Sequence, residues 1–310
     1  MTLLDRPLRY GILAAADNAY IRKLVMRHGM RLGAARFVAG ETTQEFLTAT
    51  KRANERGFAV AAGILGEGTA SSADARKATD HYCELLDEFS KRGLDANVAL
   101  KPTHLGLDID RELALGNLSQ VAEHAARNGN FMRLDMEQST YVDPTLDLYR
   151  SLRERFENVG CVLQSYLHRS LSDLEQLAPL HPNVRIVKGA YLELPQVAYP
   201  NKADVDRNYI ALAEFSLRGS GYTAIATHDI AIIEHLAAFA SEIGLPKQGR
   251  FEFQMLYGVC NAFAQTLVER GYRMRLAIPF GQFWFPYLMR RLAERPANLG
   301  FFLKSVVVRG

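Results

Sequence analysis

Short runs of β-branched and apolar residues recur eight times along this 310-residue chain, and this repetition restricts the folds that it can adopt. Segments with the apolar spacing of amphipathic helices separate the runs, for example 110–129 and 144–158. Strands that alternate with helices form parallel sheets, because each helix returns the chain to the starting edge. The predicted strands are 58–65, 96–102, 130–137, 159–166, 183–191, 222–229, 250–256 and 273–281.

Eight strands at this spacing are typical of a closed α/β barrel, the (β/α)8 or TIM-barrel architecture. An open, doubly wound sheet is the alternative, since it uses the same alternation. Residues 1–57 precede the first strand and are predicted to form an N-terminal helical arm, in which Thr42 and Glu45 make a capping box. The barrel is predicted to occupy 58–310.

The third predicted strand indicates which face of the barrel carries polar groups. Its odd positions include Arg133, Asp135 and Glu137, whereas positions 132, 134 and 136 are apolar. Alternate residues of a strand point to opposite faces, and outward residues must pack on helices. We therefore expect the charged set to face the interior, where charge is tolerated only if it is paired or does chemistry.

Polar residues stand at similar positions in the other strands. Barrel enzymes place their sites at the carboxyl ends of the strands, so we expect a shared site there. The polar residues predicted to gather at that end are Lys101, Gln164, Arg185, Thr227, His228, Gln254 and Arg275. A network of internal ion pairs without catalysis is the alternative interpretation.

The residues alone favour some chemistries over others. A metal site is not expected, because the first strand has no His-x-His pair and His168 and His228 lack a ligand spacing. A Schiff-base lyase stays open, because Lys101 and Lys188 lie near strand ends. Neither a Gly-x-Gly-x-x-Gly dinucleotide loop nor a P-loop occurs in the sequence.

Composition and charge bear on the class of binding partner and on the cellular compartment. The formal charge of +3, without a basic block, does not indicate a nucleic-acid partner. Cys83, Cys161 and Cys260 are far apart, which is typical of a reducing compartment. With no signal-peptide layout and no apolar run of about 18 residues, we expect a cytoplasmic location; a peripheral contact with the inner face of the membrane stays open.

The last helical segment, 283–298, carries a polar stripe. Tyr287, Arg290, Arg291 and Glu294 fall at i, i+3, i+4 and i+7 and therefore share one face. Alone, this pattern is typical of an amphipathic helix with its charges in water. Two adjacent arginines over a barrel mouth could instead clamp a carboxylate.

Six motifs, in this order and at compatible spacing, resemble the proline dehydrogenase family. They are RLDME (133–137), VLQSY (162–166), VRIVKGAY (184–191), ATHD (226–229), FEFQML (251–256) and YLMRRLAERPAN (287–298). The resemblance covers about residues 58–304 and is to the monofunctional bacterial type. It implies a distorted (β/α)8 barrel that binds FAD at the carboxyl ends of its strands, with the last helix over the site.

The resemblance implies roles for residues around the substrate. Asp135 matches an acid beside the substrate, and Glu294 matches an acid that pairs within the site. The positions that match cations for the proline carboxylate, or residues lining the proline ring, are Lys101, Arg290, Arg291, Tyr191, Leu256 and Tyr287. Ala277 departs from the pattern, because the family has tyrosine there, and this puts the tightness of the substrate pocket in doubt.

A second group of positions matches residues that contact the flavin. These are Gln164, Arg185, Lys188, Gly189, Ala190, Thr227, His228 and Gln254, with Val187 and Met136 expected close by. Arg185 is the candidate for stabilising the anionic reduced ring, which makes it a catalytic group together with Asp135.

The activity that the resemblance implies is the oxidation of L-proline to Δ1-pyrroline-5-carboxylate, with hydride passing from C5 to flavin N5. Electrons are expected to pass on to a membrane quinone. The chain has no room for the aldehyde dehydrogenase of bifunctional members, so we expect a separate pyrroline-5-carboxylate dehydrogenase. A Schiff-base lyase and a non-catalytic amino-acid-binding barrel remain the alternatives.

Overall fold

Eight parallel strands close into a barrel in chain order, with the first strand paired to the last. The computed structural model describes residues 34–66 and 69–294. The strands are β1 Ala59–Ile64, β2 Ala96–Leu100, β3 Met132–Leu134, β4 Val159–Gln164, β5 Asn183–Val187, β6 Tyr222–Ala226, β7 Phe251–Leu256 and β8 Met274–Phe280. The predicted (β/α)8 barrel is confirmed, and the open sheet is excluded because β1 pairs with both β2 and β8.

Helices surround the barrel. They are α1 Thr43–Asn54, α2 Ser72–Arg92, α3 Arg111–Arg127, α4 Val142–Arg153, α5 Ser170–Leu177, α6 Lys202–Arg218, α7 Ile230–Glu242, α8 Asn261–Glu269 and α9 Trp284–Glu294. Short 3-10 turns occupy Ala34–Arg36, Pro102–Leu105, Ser139–Tyr141 and Ala178–Leu180. Within the described ranges, no helix is both long enough and apolar enough to cross a membrane.

The core lies between the outer faces of the strands and the helices. In β5, Val184 and Ile186 are fully buried, whereas Asn183, Arg185 and Val187 alternate with them toward the interior and are partly exposed. Each buried aliphatic side chain contributes roughly 1.5–3 kcal/mol, so this outer layer stabilises the fold and fixes the register.

Helix α1 covers the seam where the barrel closes. The ring of Phe46 from α1 stacks on Phe280 of β8 with centroids 4.3 Å apart, and both side chains are buried. The predicted capping box is confirmed: the Glu45 backbone N–H donates to Thr42 Oγ1 at 3.3 Å, and the Thr42 N–H donates to Glu45 Oε2 at 3.0 Å. The proposed boundary at residue 57 stays a prediction, and residues 1–33 lie outside the described part.

The amino-terminal end of the barrel interior holds a buried ion pair. Arg275 Nε donates to Glu252 Oε1 at 2.8 Å, and Gln254 Nε2 donates to the same oxygen at 2.5 Å. Burial opposes the charge of Glu252, but Arg275 prevails and holds the pKa of this carboxyl below its ordinary value. The prediction that Arg275 belongs to the carboxyl-end cluster is wrong, because Arg275 is the second residue of β8 and aligns with Ala59 at the start of β1.

Arg133 completes this buried polar layer. Its guanidinium donates to the carbonyl of Cys161 at 3.1 Å and to Asn183 Oδ1 at 2.6 Å. Burial, and then the charge of Arg185, lowers the pKa of Arg133 to about 10, which leaves it charged at neutral pH. The charged parity of β3 thus faces the interior, as the sequence predicts, but Arg133 is there a structural group.

We predict that Arg275→Met lowers the free energy of unfolding by about 3 kcal/mol, because Glu252 loses its main partner while buried. The value falls at the low end of the range for broken buried pairs, since Arg273 Nε remains 3.4 Å from the other Glu252 oxygen. Urea unfolding followed by circular dichroism measures the change.

The double variant Glu252→Leu/Arg275→Met should regain most of this loss, because it leaves no buried charge unpaired. Arg270→Met is the matched control: its pair with Glu234 is exposed, so it should cost at most about 1 kcal/mol. Equal losses in Arg275→Met and Arg270→Met would contradict the assignment.

Candidate functional site

A cavity of about 720 Å³ lies at the carboxyl end of the barrel. Its wall is built from strand ends and the loops that follow them, and α9 closes one side with Pro286, Tyr287 and Arg291. The volume falls in the range of about 300–1,000 Å³ that is common for small-molecule sites.

The structure brings together most of the residues that the sequence singled out. The predicted site residues that line the cavity are Lys101, Asp135, Met136, Gln164, Arg185, Val187, Lys188, Gly189, Ala190, Tyr191, Thr227, His228, Gln254, Leu256, Ala277, Tyr287 and Arg291. The side chains of Arg290 and Glu294 lie outside the described residues. The roles assigned to all of these residues remain proposals.

Met136 reaches the cavity although its parity predicts an outward position. The strand β3 ends at Leu134, and the Asp135 backbone N–H bonds to the carbonyl of Leu100 at 2.8 Å. The alternation of a strand does not continue past its end. Met136 therefore lines the cavity while it also packs in the core, whereas Met132 and Leu134 pack in the core and do not line the cavity.

Asp135 and Arg185 form an ion pair on the cavity wall. Arg185 stands in the middle of β5 and Asp135 just beyond β3, so the pair spans β4 across the interior. The Arg185 side chain is 12% exposed and the Asp135 side chain is 28% exposed. Both charges can therefore interact electrostatically with a ligand in the cavity.

Two lysines and two aspartates form a second charged group at the mouth, which we call the lysine–aspartate network. Lys188 Nζ donates to Asp206 at 2.6 Å and to Asp229 at 3.0 Å, and Lys202 contacts the same two carboxylates. Burial opposes ionisation of Asp229, yet Lys188 holds its pKa below the ordinary value. The hydrogen bond from Lys202 to Asp206 raises the pKa of Lys202.

The sequence interpretation missed Lys202, Asp206 and Asp229. Two signals were available: Lys202 and Asp206 stand at i and i+4 in α6, and Asp229 directly follows His228 in the ATHD motif. The network also bears on the lyase alternative, because Lys188 Nζ already donates hydrogen bonds to two carboxylates.

The His228 side chain makes a hydrogen bond to β7 beyond the point where β6 ends. The strand β6 ends at Ala226, while β7 continues to Leu256. The Leu256 backbone N–H donates to His228 Nε2 at 3.0 Å, so this nitrogen is the acceptor and the ring proton stands on Nδ1. His228 thereby fixes the strand end that carries Leu256 into the cavity.

Gly189 lets the chain pass close to a buried ring. Its φ is +107°, and a Cβ atom there would overlap the ring of Tyr166. The Tyr166 backbone N–H also donates to the carbonyl of Lys188 at 2.9 Å. The backbone of Gly189, which lines the cavity, is therefore packed directly against the Tyr166 ring.

Small residues make the space for the cavity. Ala61 and Gly63 of β1 and Ala99 of β2 point into it, so the interior near these strands is left unfilled. Tyr82 from α2 also lines the cavity although the sequence interpretation did not single it out, since nothing in its helix indicated that this tyrosine would reach inward.

The helix α9 lies over the mouth and packs on its other side against the segment Ala34–Val38. Trp284, Phe285 and Leu288 are buried in this cluster, and Trp284 Nε1 donates to Glu41 Oε1 at 2.6 Å. Arg291 faces the cavity, with its guanidinium carbon 5.4 Å from the centroid of the Tyr287 ring. The water-facing interpretation of this stripe is thus wrong for Tyr287 and Arg291.

Fold and site together define a barrel enzyme with a deep, charged cavity at the carboxyl-terminal face. The family model described as "Proline dehydrogenase" matches residues 46–304. The chain therefore belongs to the proline dehydrogenase family, and membership identifies it as an oxidoreductase.

Individual relatives agree with this membership. The chain is 38% identical to "Proline dehydrogenase 1" of Bacillus subtilis subsp. natto, over 97% of its own length and 99% of the relative. It is 38% identical to "Proline dehydrogenase" of Deinococcus radiodurans, over 98% and 99% of the two chains. The structure of proline utilization A from Bdellovibrio bacteriovorus, inactivated by N-propargylglycine, superposes with a TM-score of 0.80 at 29% identity; it is matched over 87% of this chain and 33% of that one.

We predict that Gly189→Ala lowers the free energy of unfolding by roughly 2–4 kcal/mol, because the new methyl group displaces the Tyr166 ring as well as straining the backbone. Gly93→Ala is the control: it also has positive φ, at +61°, but nothing lies within 4 Å of its Cβ position. That variant should lose only about 1 kcal/mol. Similar losses in urea unfolding for both variants would show that the ring does not abut Gly189.

Proposed function

We propose that this protein oxidises L-proline to Δ1-pyrroline-5-carboxylate with FAD as cofactor, the first step of proline breakdown. The observation that carries the proposal is a cavity that combines cations, suited to a carboxylate, with buried polar atoms that have no hydrogen-bond partner among the described residues. Family membership supports the same substrate, since the relatives bear the name of proline dehydrogenase.

The residues of the cavity fit a flavin. Gln164 Oε1, Gln254 Oε1 and Arg185 Nε are buried and have no hydrogen-bond partner among the described residues. Buried polar atoms are normally paired, so these atoms point to a ligand that both donates and accepts hydrogen bonds. Gly189 and Ala190 also line this cavity, and neither has a bulky side chain that would compete with a ring system for the space.

Bound there, FAD would supply the acceptor for the hydride that leaves C5 of proline. Arg185 would favour negative charge on the ring at the cavity wall, while Asp135 keeps Arg185 in place through their ion pair. Lys188 would lie nearby, held by the lysine–aspartate network. The Leu256 wall would stay in position through His228.

The substrate carboxylate has cations on two sides of the cavity. Lys101 follows β2 and Arg291 belongs to α9, and we place Arg290 and Glu294 with them by their family positions. Charge-assisted hydrogen bonds to a carboxylate fix a small substrate in one orientation. Tyr191, Leu256 and Tyr287, which line the cavity, would then contact the proline ring.

The remaining steps concern the proton and the electrons. The amine of proline must be uncharged before hydride leaves C5, so activity should rise with pH until that amine is deprotonated. We place the electron acceptor as a membrane quinone and the next step with a separate pyrroline-5-carboxylate dehydrogenase. A cytoplasmic protein that touches the inner face of the membrane would suit both.

We predict that the purified protein shows the visible absorption of an oxidised flavin and that L-proline bleaches it. Arg291→Met should bind the flavin as the parent does but require about tenfold more proline for half-bleaching, because one charge-assisted hydrogen bond is lost. Anaerobic titration with proline, followed by absorption, measures both. A colourless protein that binds and releases proline unchanged would sink the proposal, and borohydride trapping of substrate on Lys188 or Lys101 would favour a lyase.

A second prediction concerns Ala277, which lies between Leu256 and Ala61 in the strand register. Ala277→Tyr should fill the space beside the substrate ring and raise the preference for proline over 4-hydroxyproline by about tenfold in kcat/KM. The control Ala277→Ser adds little volume and should leave the ratio near that of the parent. An unchanged ratio in Ala277→Tyr would show that Ala277 does not face the substrate ring.

A further inference from the structure

Glu137 is a buried acid beside the cavity for which the proposed reaction has no use. Only 6% of its surface is exposed, and it stands three residues beyond the end of β3. Charged and titratable groups face it from each neighbouring element: Lys101 after β2, Asp135 after β3, Tyr82 of α2 and Tyr141 of the 3-10 turn Ser139–Tyr141.

Three hydrogen-bond contacts join Glu137 to Thr103. The Thr103 backbone N–H donates to Glu137 Oε1 at 3.3 Å. The Thr103 hydroxyl lies 2.9 Å from Oε1 and 2.8 Å from Oε2 of the same carboxyl group. Thr103 is itself only 3% exposed, so water does not compete for these bonds.

The two short oxygen–oxygen contacts can be made by either form of the acid. An ionised Glu137 shares the one hydrogen of the Thr103 hydroxyl between its two oxygens, whereas a protonated Glu137 accepts it at one oxygen and donates its own proton from the other. Burial favours the protonated form, since it raises the pKa of Glu137 above the ordinary value despite the opposing hydrogen bond from Thr103.

Thr103 stands two residues after Lys101, in the turn Pro102–Leu105. This turn begins as the chain leaves β2, and Lys101 closes it by accepting the His104 backbone N–H at 3.1 Å. Pro102 restricts the backbone between Lys101 and Thr103. A fixed Thr103 therefore fixes the direction in which the Lys101 side chain leaves toward the cavity.

We propose that Glu137, as a neutral carboxylic acid, is a positioning residue that aims Lys101 into the cavity through Thr103. The proposal rests on the proposed role of Lys101 in holding the substrate carboxylate. The neutral form matters because an ionised Glu137 would attract the Lys101 ammonium and compete with the substrate for it. Glu137 itself touches neither substrate nor cofactor.

The chain offers a matched pair of variants that separates the neutral acid from the anion. In Glu137→Gln, the amide oxygen accepts from Thr103 and the amide nitrogen donates to it, as the protonated acid does. Glu137→Met keeps the volume but removes every one of these bonds. Steady-state kinetics with proline, and flavin content by absorption, are measured for both and for the parent.

We expect Glu137→Met to raise KM for proline by about tenfold while kcat and flavin content stay within about twofold, since roughly one hydrogen bond to a charged group is misplaced. The conservative variant Glu137→Gln should restore the parent KM to within about twofold. In the Lys101→Met background, Glu137→Met should have no further effect, because the two residues act through one path.

The pH profile gives a readout that a purely structural role would not move. The pKa of Glu137 is raised, so the neutral form predominates below it and is lost as the pH rises through it. KM of the parent should therefore increase toward alkaline pH relative to KM of Glu137→Gln, which cannot ionise. Taking the ratio of the two enzymes cancels the titration of proline itself.

If Glu137→Met does not fold, Thr103→Val replaces it in the test, because valine keeps the shape of threonine and removes the hydroxyl. The KM of Thr103→Val should also rise by about tenfold, and an unchanged KM would overturn the proposal. Equal damage from Glu137→Gln and Glu137→Met would overturn it, because the anion would then be the working form. An effect of Glu137→Met that persists in the Lys101→Met background would also overturn it. A Lys101→Met variant with the parent KM would instead refute the proposed role of Lys101 in substrate binding.

Discussion

The interior of a closed eight-stranded barrel admits a charged side chain only where a partner meets it, and the structure depends on this constraint. Two ion pairs satisfy this constraint at different heights along the barrel axis: Glu252 with Arg275 near the amino-terminal end, and Asp135 with Arg185 at the cavity wall. The lower pair is buried, so each of its charges depends on the other for compensation. The upper pair borders open space, so its charges remain available to a ligand.

The site is held by groups that belong to its surroundings as much as by those that face the ligand. His228 fixes the end of β7, the lysine–aspartate network fixes Lys188, and the segment Ala34–Val38 supports α9 from outside. Each of these contacts joins elements that are distant in sequence. A catalytic cavity requires such supports, because catalytic geometry is sensitive to shifts of about 1 Å.

Sequence reasoning was accurate where a local signal had one structural meaning. The alternation of strands and helices and the Thr42 capping box are confirmed because both depend on residues close in sequence. It was wrong for Arg275, which sits at the amino-terminal end of β8, and for the outward parity of Met136. The Met136 error comes from a strand boundary, because β3 ends three residues before its predicted end. The bounds of β8 were predicted to within one residue, so the Arg275 error concerns the height of that residue within the barrel.

The sequence by itself determined the barrel class and, through motifs that lie between residues 133 and 298, most of the residues that line the cavity. Only the tertiary structure decided which charges pair with which. Arg133, Arg185 and Arg275 are equally plausible site residues in the sequence, yet only Arg185 lines the cavity. Strand register and tilt set the height of a side chain inside a closed barrel, and these follow from the packing of all eight strands together rather than from any one segment.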